Sequence, residues 1–474
     1  MKVPSWSAVL NTSDSDPDLS ALPAVAKLAQ TYIGARSDAA IMPTLDDAAL
    51  AERLARYDFL TPLPLEQVAA DLFEVLGHGV VRTDSPRYFG LFNPPALPAA
   101  AAGDLITAAV NPQLAVWSHA PAAVEIERKL ARLFAGLAGW PETESAGMFT
   151  SGGAEANHTA CLAALARRYP DWARRGLAAA HPKPVMFVSA EAHLAWIKIA
   201  RSVGLGADAV RLVPTMDGLR MSAEAVAQAI AAEPDVDPFL IVATAGTTAH
   251  GAIDDIAGIA ALARVHGAHL HVDAAWAGAA LLLPERRDLF AGIEQSDSIT
   301  IDPHKWLCVP MGAGLYLARD WAPLEQAFTV STGYMPSASI ERRDPYLHSL
   351  QWSRRTIGLK LFTALATSGL EGARERIRRQ IAMGAQLRAG LLADGWRVLN
   401  DTPLPLLCFG PGDDTGGDDA VRAIEQGVVG SGEAWISSVR LRGRLALRAC
   451  ITSYETSEAD IETLLRRLRL TVGT

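Results

Sequence analysis

Three short stretches of this 474-residue chain carry side chains spaced for chemistry. Ser298-Ile-Thr-Ile-Asp302-Pro-His304-Lys305-Trp306 reads as a strand that delivers a lysine to a sharp turn, between an imidazole and an indole. Lysine is scarce, seven residues against 36 arginines, so one at a strand exit stands out. Held in such surroundings it can lose its proton and attack a carbonyl, giving a Schiff base. His269-Leu-His271-Val-Asp273 puts three polar side chains on one face of a strand, the way a metal hydrolase begins a cage. Ala274-Ala275-Trp276 follow, without further ligands, so the expectation is no metal, with a hydrolase on His269, His271 and Asp273 kept as an alternative. Asp273 then stands at the C-terminal end of the strand, where open α/β sheets bind ligands. Gly204-Leu-Gly206-Ala-Asp-Ala209 formally matches a dinucleotide loop. A helix precedes it and a strand follows, the reverse of the required order, which predicts a helix-ending turn.

A Schiff base of pyridoxal phosphate on Lys305 would need further parts, each of which can be sought separately. Its phosphate needs a glycine-rich turn opening a helix, and Gly147-Met-Phe-Thr-Ser151-Gly152-Gly153-Ala154-Glu155-Ala156-Asn157 supplies one. The pyridine nitrogen needs a carboxylate if it is to stay protonated and accept electrons. Asp273 is the candidate; at ~3 Å and an effective dielectric of ~20 such an ion pair gives roughly 5 kcal/mol before desolvation. His193, after a strand, could stack on the ring, and Thr247-Thr248, after another, offer hydroxyls to phosphate or substrate.

These parts must be positioned by regular elements. Short apolar runs at Val185–Val188, Val210–Val213, Phe239–Thr244, His269–Asp273, Ser298–Asp302 and Gly314–Ala318 read as strands. They alternate with helical periodicity at Val124–Leu137, Ala154–Arg168, His193–Val203, Ser222–Ala231, Ile256–His266 and Ile357–Thr367, which predicts an α/β class with a mainly parallel sheet. Residues 1–95 read as a helical arm that packs on something else, 96–370 as the large α/β domain, and 371–474 as a small α+β domain.

Composition narrows the class. With 50% hydrophobic and 20% charged residues the chain is neither disordered nor fibrous. A net charge of −9 with dispersed arginine argues against nucleic acid. Four cysteines, at 161, 308, 408 and 450, form no CxxC pair, which predicts a reducing, cytoplasmic setting. The N-terminus lacks a signal-peptide core. Leu105–Val124 has no charge, but Asn111, Gln113, Ser118, His119 and two prolines point to burial in protein rather than lipid.

Taken together the motifs resemble the group II, fold-type I pyridoxal-phosphate-dependent amino-acid decarboxylases, which include aromatic L-amino-acid and glutamate decarboxylases. The likeness runs from Ser85-Pro-Arg-Tyr-Phe-Gly-Leu-Phe92 through His271-Val-Asp-Ala-Ala275 and Asp302-Pro-His-Lys-Trp306 to Leu445-Ala-Leu-Arg448. The resemblance implies that Lys305 binds the cofactor, Asp273 pairs with its pyridinium, Ala275 packs beneath the ring and His193 stacks above it. It places Thr248, Asp302, His304 and the amides of Gly153 and Ala154 around the ring and phosphate. Many relatives have serine where Ala154 stands, which costs a phosphate contact. Arg448 would bind the substrate carboxylate. Tyr334, on a loop 29 positions after Lys305, would return a proton to Cα and belong to a lid. Phe92, Asn93 and His119 fall near the side-chain pocket: Phe92 and Trp117 suit a ring, Asn93 and His119 a polar or acidic group. Aromatic substrates are the expectation, with an acidic or polar amino acid, or an aldehyde synthase or carbon–carbon lyase reaction, as alternatives. Relatives are homodimers with the site at the interface.

Overall fold

The structure is a computed structural model and describes residues 17–37, 39–141, 145–215, 219–330, 342–412 and 416–472. Seven strands form the central sheet: β1 (Ala146–Thr150), β2 (Lys183–Ser189), β3 (Val210–Val213), β4 (Val236–Thr244), β5 (His269–Asp273), β6 (Ser298–Ile301) and β7 (Gly314–Ala318), in the order β1-β7-β6-β5-β4-β2-β3. β3, β2, β4, β5 and β6 run parallel; β7 is antiparallel to both of its neighbours, β6 and β1. This is the α/β class expected, and each anticipated strand is present within a few residues.

Strand burial explains why those runs read so clearly. Phe239 to Ala243 of β4 are all buried, as they must be in a parallel strand covered on both faces. Leu270 and Val272 join Ile241, Ile299 and Ile301 in the main core, with Phe134 and Ile259 from helices Pro121–Leu137 and Ile256–His266. Helix Gly153–Arg168 covers the other face, beside a second cluster built on Met186, Val188, Leu240 and Trp196. The Gly204–Ala209 motif is a helix-ending turn: helix Ala195–Ser202 precedes it, Gly204 and Gly206 take φ of 80° and 81°, and β3 follows.

β1 was not legible as a strand. Its five residues begin the glycine-rich stretch, and they become strand by pairing with β7 in the fold, Gly147 opposite Leu317. A second, antiparallel sheet of β8 (Arg397–Val398), β9 (Leu406–Gly410), β10 (Ser437–Leu441) and β11 (Arg444–Cys450) is ordered β10-β11-β9-β8. The helical stretch expected over 357–367 is the start of a longer run, Leu359–Ala393, interrupted at Gly369 (φ 64°, ψ 173°). The uncharged stretch from Leu105 is only partly buried in the single chain. Leu114, Val116 and Val124 are internal, whereas Leu105, Ile106 and Val110 of helix Pro98–Val110 face outward. The opposite side of that helix is what packs: a Cβ added to Gly103 would lie 2.8 Å from Lys360 Cα.

Candidate active site

Three chain turns meet at the C-terminal ends of the parallel strands. β1 passes through Ser151-Gly152 into helix Gly153–Arg168, β5 ends on Asp273, and β6 leads through Asp302 to Lys305. Their closeness depends on small residues. A Cβ on Gly153 would stand 2.8 Å from Asp302 Oδ2 and 3.3 Å from the Ala275 methyl, and one on Gly152 would stand 3.3 Å from His304 Cε1. The amides of Gly153 and Ala154 open the helix, where the backbone has no intrahelical acceptor for them. Such a start accepts a phosphate.

Asp273 is buried and held at both oxygens: Asn157 Nδ2 donates to Oδ2 at 2.8 Å and the Ala275 amide to Oδ1 at 3.1 Å. Lys305 Nζ pairs with Asp302 Oδ2 at 3.0 Å and lies 5.9 Å from the Phe92 ring centroid. Asp302 Oδ1 is buried with no hydrogen-bond partner, a polar atom left for something else in the cleft. His304 Nδ1 lies 2.7 Å from the Ala313 carbonyl oxygen, and burial lowers the imidazole pKa against the pull of Asp302.

His193 stands on the loop after β2, exposed at the cleft. Its Nδ1 accepts from the Ala195 amide at 3.1 Å, so it also caps the following helix. Desolvation lowers its pKa; Asp273 and Asp302 oppose that shift, while Lys305 and Lys198 reinforce it, which puts the ring within the field of all three cleft residues. Of the two threonines, Thr247 is spent on structure: it is fully buried, 3.0 Å from His250 Nδ1, and accepts from the Ala252 amide. Thr248 keeps a half-buried side chain, and its carbonyl accepts from Arg448 Nε at 3.1 Å.

Arg448 is fully buried yet has no carboxylate partner among the described residues. Nη1 donates to Gly90 O at 2.6 Å, Nε reaches the carbonyls of Thr248 and Ala249, and Nη2 is left without an acceptor. Its guanidinium lies 5.0 Å from the Phe92 centroid, and Phe92 in turn stacks on Trp276 at 4.6 Å. The segment carrying Gly90 and Phe92 is fastened to the small sheet by Phe89 N to Trp435 O and Cys450 N to Phe89 O, at 2.8 and 2.9 Å.

The structure therefore gathers Lys305, Asp273, Asp302, His304, Gly153, Ala154, Ala275, His193, Thr248, Phe92 and Arg448 around one cleft. Asn93 is half-buried, its Nδ2 3.8 Å from Met311 Sδ. His119 is exposed, its amide donating to the Val116 carbonyl at 3.3 Å. Tyr334 lies outside the described residues. Sequence reasoning missed Asn157, Ser298 and Thr300 as part of the site's support, although the period-two polar positions of Ser298-Ile-Thr300-Ile-Asp302 carried the signal. The cleft suits pyridoxal phosphate: a helix start walled by glycine and alanine, a buried carboxylate at a strand end and a lysine opposite.

Residues 58–410, most of the chain, match the family described as the pyridoxal-dependent decarboxylase conserved domain. The chain belongs to this family. Mouse cysteine sulfinic acid decarboxylase is 32% identical over 342 residues, 70% of this chain and 68% of the relative. The tyrosine decarboxylase of Oryza sativa is 29% identical over 465 residues, 91% of this chain and 86% of the relative. A crystal structure of mouse CSAD superposes with a TM-score of 0.87 at 27% identity, covering 95% of this chain and 98% of that one. Another, of Oryza sativa TDC with PLP and tryptamine, gives 0.90 at 24% identity over 98% and 99%, a likeness of fold alone. The protein is thus a lyase of fold-type I, an amino-acid decarboxylase whose cofactor is pyridoxal 5'-phosphate. That reading displaces the metal hydrolase; His269 and His271 are both engaged by Ser298 Oγ at 2.8 Å. No helix among the described residues is long and apolar enough to cross a membrane.

Proposed function

We propose that Lys305 is the covalent anchor of pyridoxal phosphate and that the chain removes the α-carboxyl group of an L-amino acid, releasing the amine and carbon dioxide. The observation that carries this is the meeting of Lys305, Asp273 and the Gly152-Gly153 helix start at one end of the sheet. When bound, the cofactor supplies an electron sink for the pair left at Cα. The protein's residues do the rest. The Gly153 and Ala154 amides, Thr248 and His304 would hold the phosphate side, Asp273 would accept from the ring nitrogen, and Ala275 and His193 would bracket the ring. Asp302 takes the Lys305 ammonium whenever that lysine is free. Arg448 binds the substrate carboxylate through Nη2, its one uncommitted nitrogen. In this reading Tyr334, assisted by His193, would return a proton to Cα once carbon dioxide has left.

For the side chain we place acidic or polar substrates ahead of aromatic ones. Phe92, expected to receive a ring, is 7% exposed and already occupied by Trp276 and Arg448. Trp117 donates to Glu125 and is covered by the Arg342 guanidinium at 4.3 Å. The aromatic reading retains the support of the tyrosine decarboxylase likeness over nearly the whole chain. We further propose a cytoplasmic homodimer, with the second copy bringing His119 to the pocket, and a division of the chain into an arm (1–95), a large domain (96–370) and a small domain (371–474).

The decisive test is a panel of cysteine sulfinate, aspartate, glutamate, tyrosine and tryptophan, followed by carbon dioxide and amine release. Preference for an acidic member is expected; preference for tyrosine or tryptophan restores the aromatic reading. Lys305→Ala should lose all cofactor that borohydride can fix to the protein, and fixed cofactor persisting in that variant would overturn the anchor assignment.

A further inference from the structure

A stripe of polar groups runs through the sheet behind Asp273. His269, His271 and Asp273 of β5, Ser298 and Thr300 of β6 and Asp302 just after it all point to the face covered by helix Gly153–Arg168, and none is more than 5% exposed. Parallel strands buried on both faces are ordinarily apolar, and each polar group carried inside costs about 1–3 kcal/mol if left unpaired. Apart from Asp302 Oδ1 and His269 Nδ1 this stripe is paired, and from Asp273 to His269 the pairing runs in one direction.

The direction follows from donor and acceptor chemistry. Asp273 Oδ2 can only accept, so the Asn157 group 2.8 Å away is Nδ2. The amide oxygen of Asn157 then faces His271 Nε2 at 3.1 Å; that oxygen only accepts, so the proton sits on Nε2, and Thr300 Oγ1, 3.2 Å from the same nitrogen, accepts as well. Burial keeps His271 far below its ordinary pKa, so the ring is neutral and Nδ1 is bare; it accepts from Ser298 Oγ at 2.8 Å. Ser298 Oγ, its proton used, accepts from His269 Nε2 at 2.8 Å. His269 is neutral for the same reason, its pKa pushed down to about 4, and its bare Nδ1 is buried without a partner, where the chain of bonds stops. Reversing the Asn157 amide would set two oxygens against each other at 2.8 Å. Trp196 closes the chain from above, its ring 5.6 Å from that of His271.

We propose that Asn157, His271, Ser298 and His269 are positioning residues that hold Asp273 in a single orientation and polarity toward the ring nitrogen of pyridoxal phosphate. With Asn157 on one oxygen and the Ala275 amide on the other, the carboxylate cannot turn, and its remaining lone pairs face the cleft. Asn157 is the link to Asp273, His271 sets which way Asn157 points, and Ser298 sets the tautomer of both histidines. The inference rests on the role proposed for Asp273, and it assigns these four residues to the cofactor rather than to folding alone.

Two experiments test it on the full chain. In protein carrying ring-15N histidine, His271 and His269 should both appear as neutral Nε2–H tautomers. A charged ring or an Nδ1–H tautomer at His271 overturns the relay without reference to activity. In the second, cofactor dissociation constants and the visible band of bound cofactor are measured for Asn157→Asp and Ser298→Ala. Asn157→Asp, the same shape with an acceptor in place of the donor, should weaken cofactor at least tenfold and move the band. Ser298→Ala, two links from Asp273, should weaken it about threefold. Should both variants bind and absorb as the parent does, losing only thermal stability, the stripe is structural and the inference fails. Parent protein that takes up no pyridoxal phosphate would instead sink the role of Asp273 on which the inference stands.

Discussion

Arg448 shows how much one residue's meaning depends on its surroundings. In the sequence it is one arginine of 36. In the fold it is buried with its charge unmatched among the described residues and one nitrogen unbonded, a state that is costly unless a carboxylate arrives. A hydrogen bond to a charged group contributes about 1.5–3 kcal/mol, so losing the fork geometry in Arg448→Lys should raise the amino-acid KM roughly 10- to 100-fold. Cofactor affinity should change less than threefold, which separates this site from the Asp273 relay; steady-state kinetics and cofactor titration measure the two. That Lys305 and Asp273 stand at the strand ends facing one cleft was legible from residue type and position alone. The Lys305–Asp302 pair was not, because Asp302 was expected only among the groups surrounding the cofactor, and only the turn geometry brings its oxygen within 3.0 Å of the ammonium.

At the scale of elements, β5 is the case where pattern and packing disagree. On one side β4 is apolar from Phe239 to Ala243, whereas β5 and β6 both alternate because one face of each carries the hydrogen-bonded stripe. A pH dependence follows. His269 has its pKa near 4 in the fold and near 6.5 when unfolded, so it costs no stability above pH 6.5. As pH falls below that, the unfolded chain takes the proton first, and stability drops by about 3 kcal/mol by the time pH passes about 4. His269→Gln keeps a donor for Ser298 and removes the titration, so its loss of stability between pH 6.5 and 4 should be smaller than the parent's by that amount. Asp254, buried and raised to about 7, slopes the opposite way but is common to both proteins and cancels in the comparison. Denaturant unfolding of the cofactor-free proteins at several pH values gives the difference directly. Strands β2 to β7 were readable because each is a short buried run bounded by turns. β1 was not, since its five residues Ala-Gly-Met-Phe-Thr acquire strand geometry only from β7.

Over the whole molecule, the exposed apolar side chains ask for a partner. Leu105, Ile106 and Val110 lie along one side of helix Pro98–Val110, and Phe59 and Leu60 are 93% and 87% exposed in the N-terminal region. A monomer rarely keeps such patches in water. If a second copy covers them, Ile106→Glu should shift the protein toward monomer in sedimentation analysis and lower activity with it. An unchanged sedimentation coefficient would place the interface elsewhere. The sequence by itself pointed to the family and the α/β sheet and named candidate carriers of the chemistry: a rare lysine at a strand exit, an aspartate at another and a glycine-opened helix. Those are local signals, set by residue type and spacing. Only the tertiary structure decided that Asn157 reaches Asp273, that Phe92 is already covered, that Arg448 lacks a counter-charge and that Thr247 is spent on its own loop. Each of these joins residues far apart in the chain, and whether a polar group is satisfied depends on what the fold brings against it.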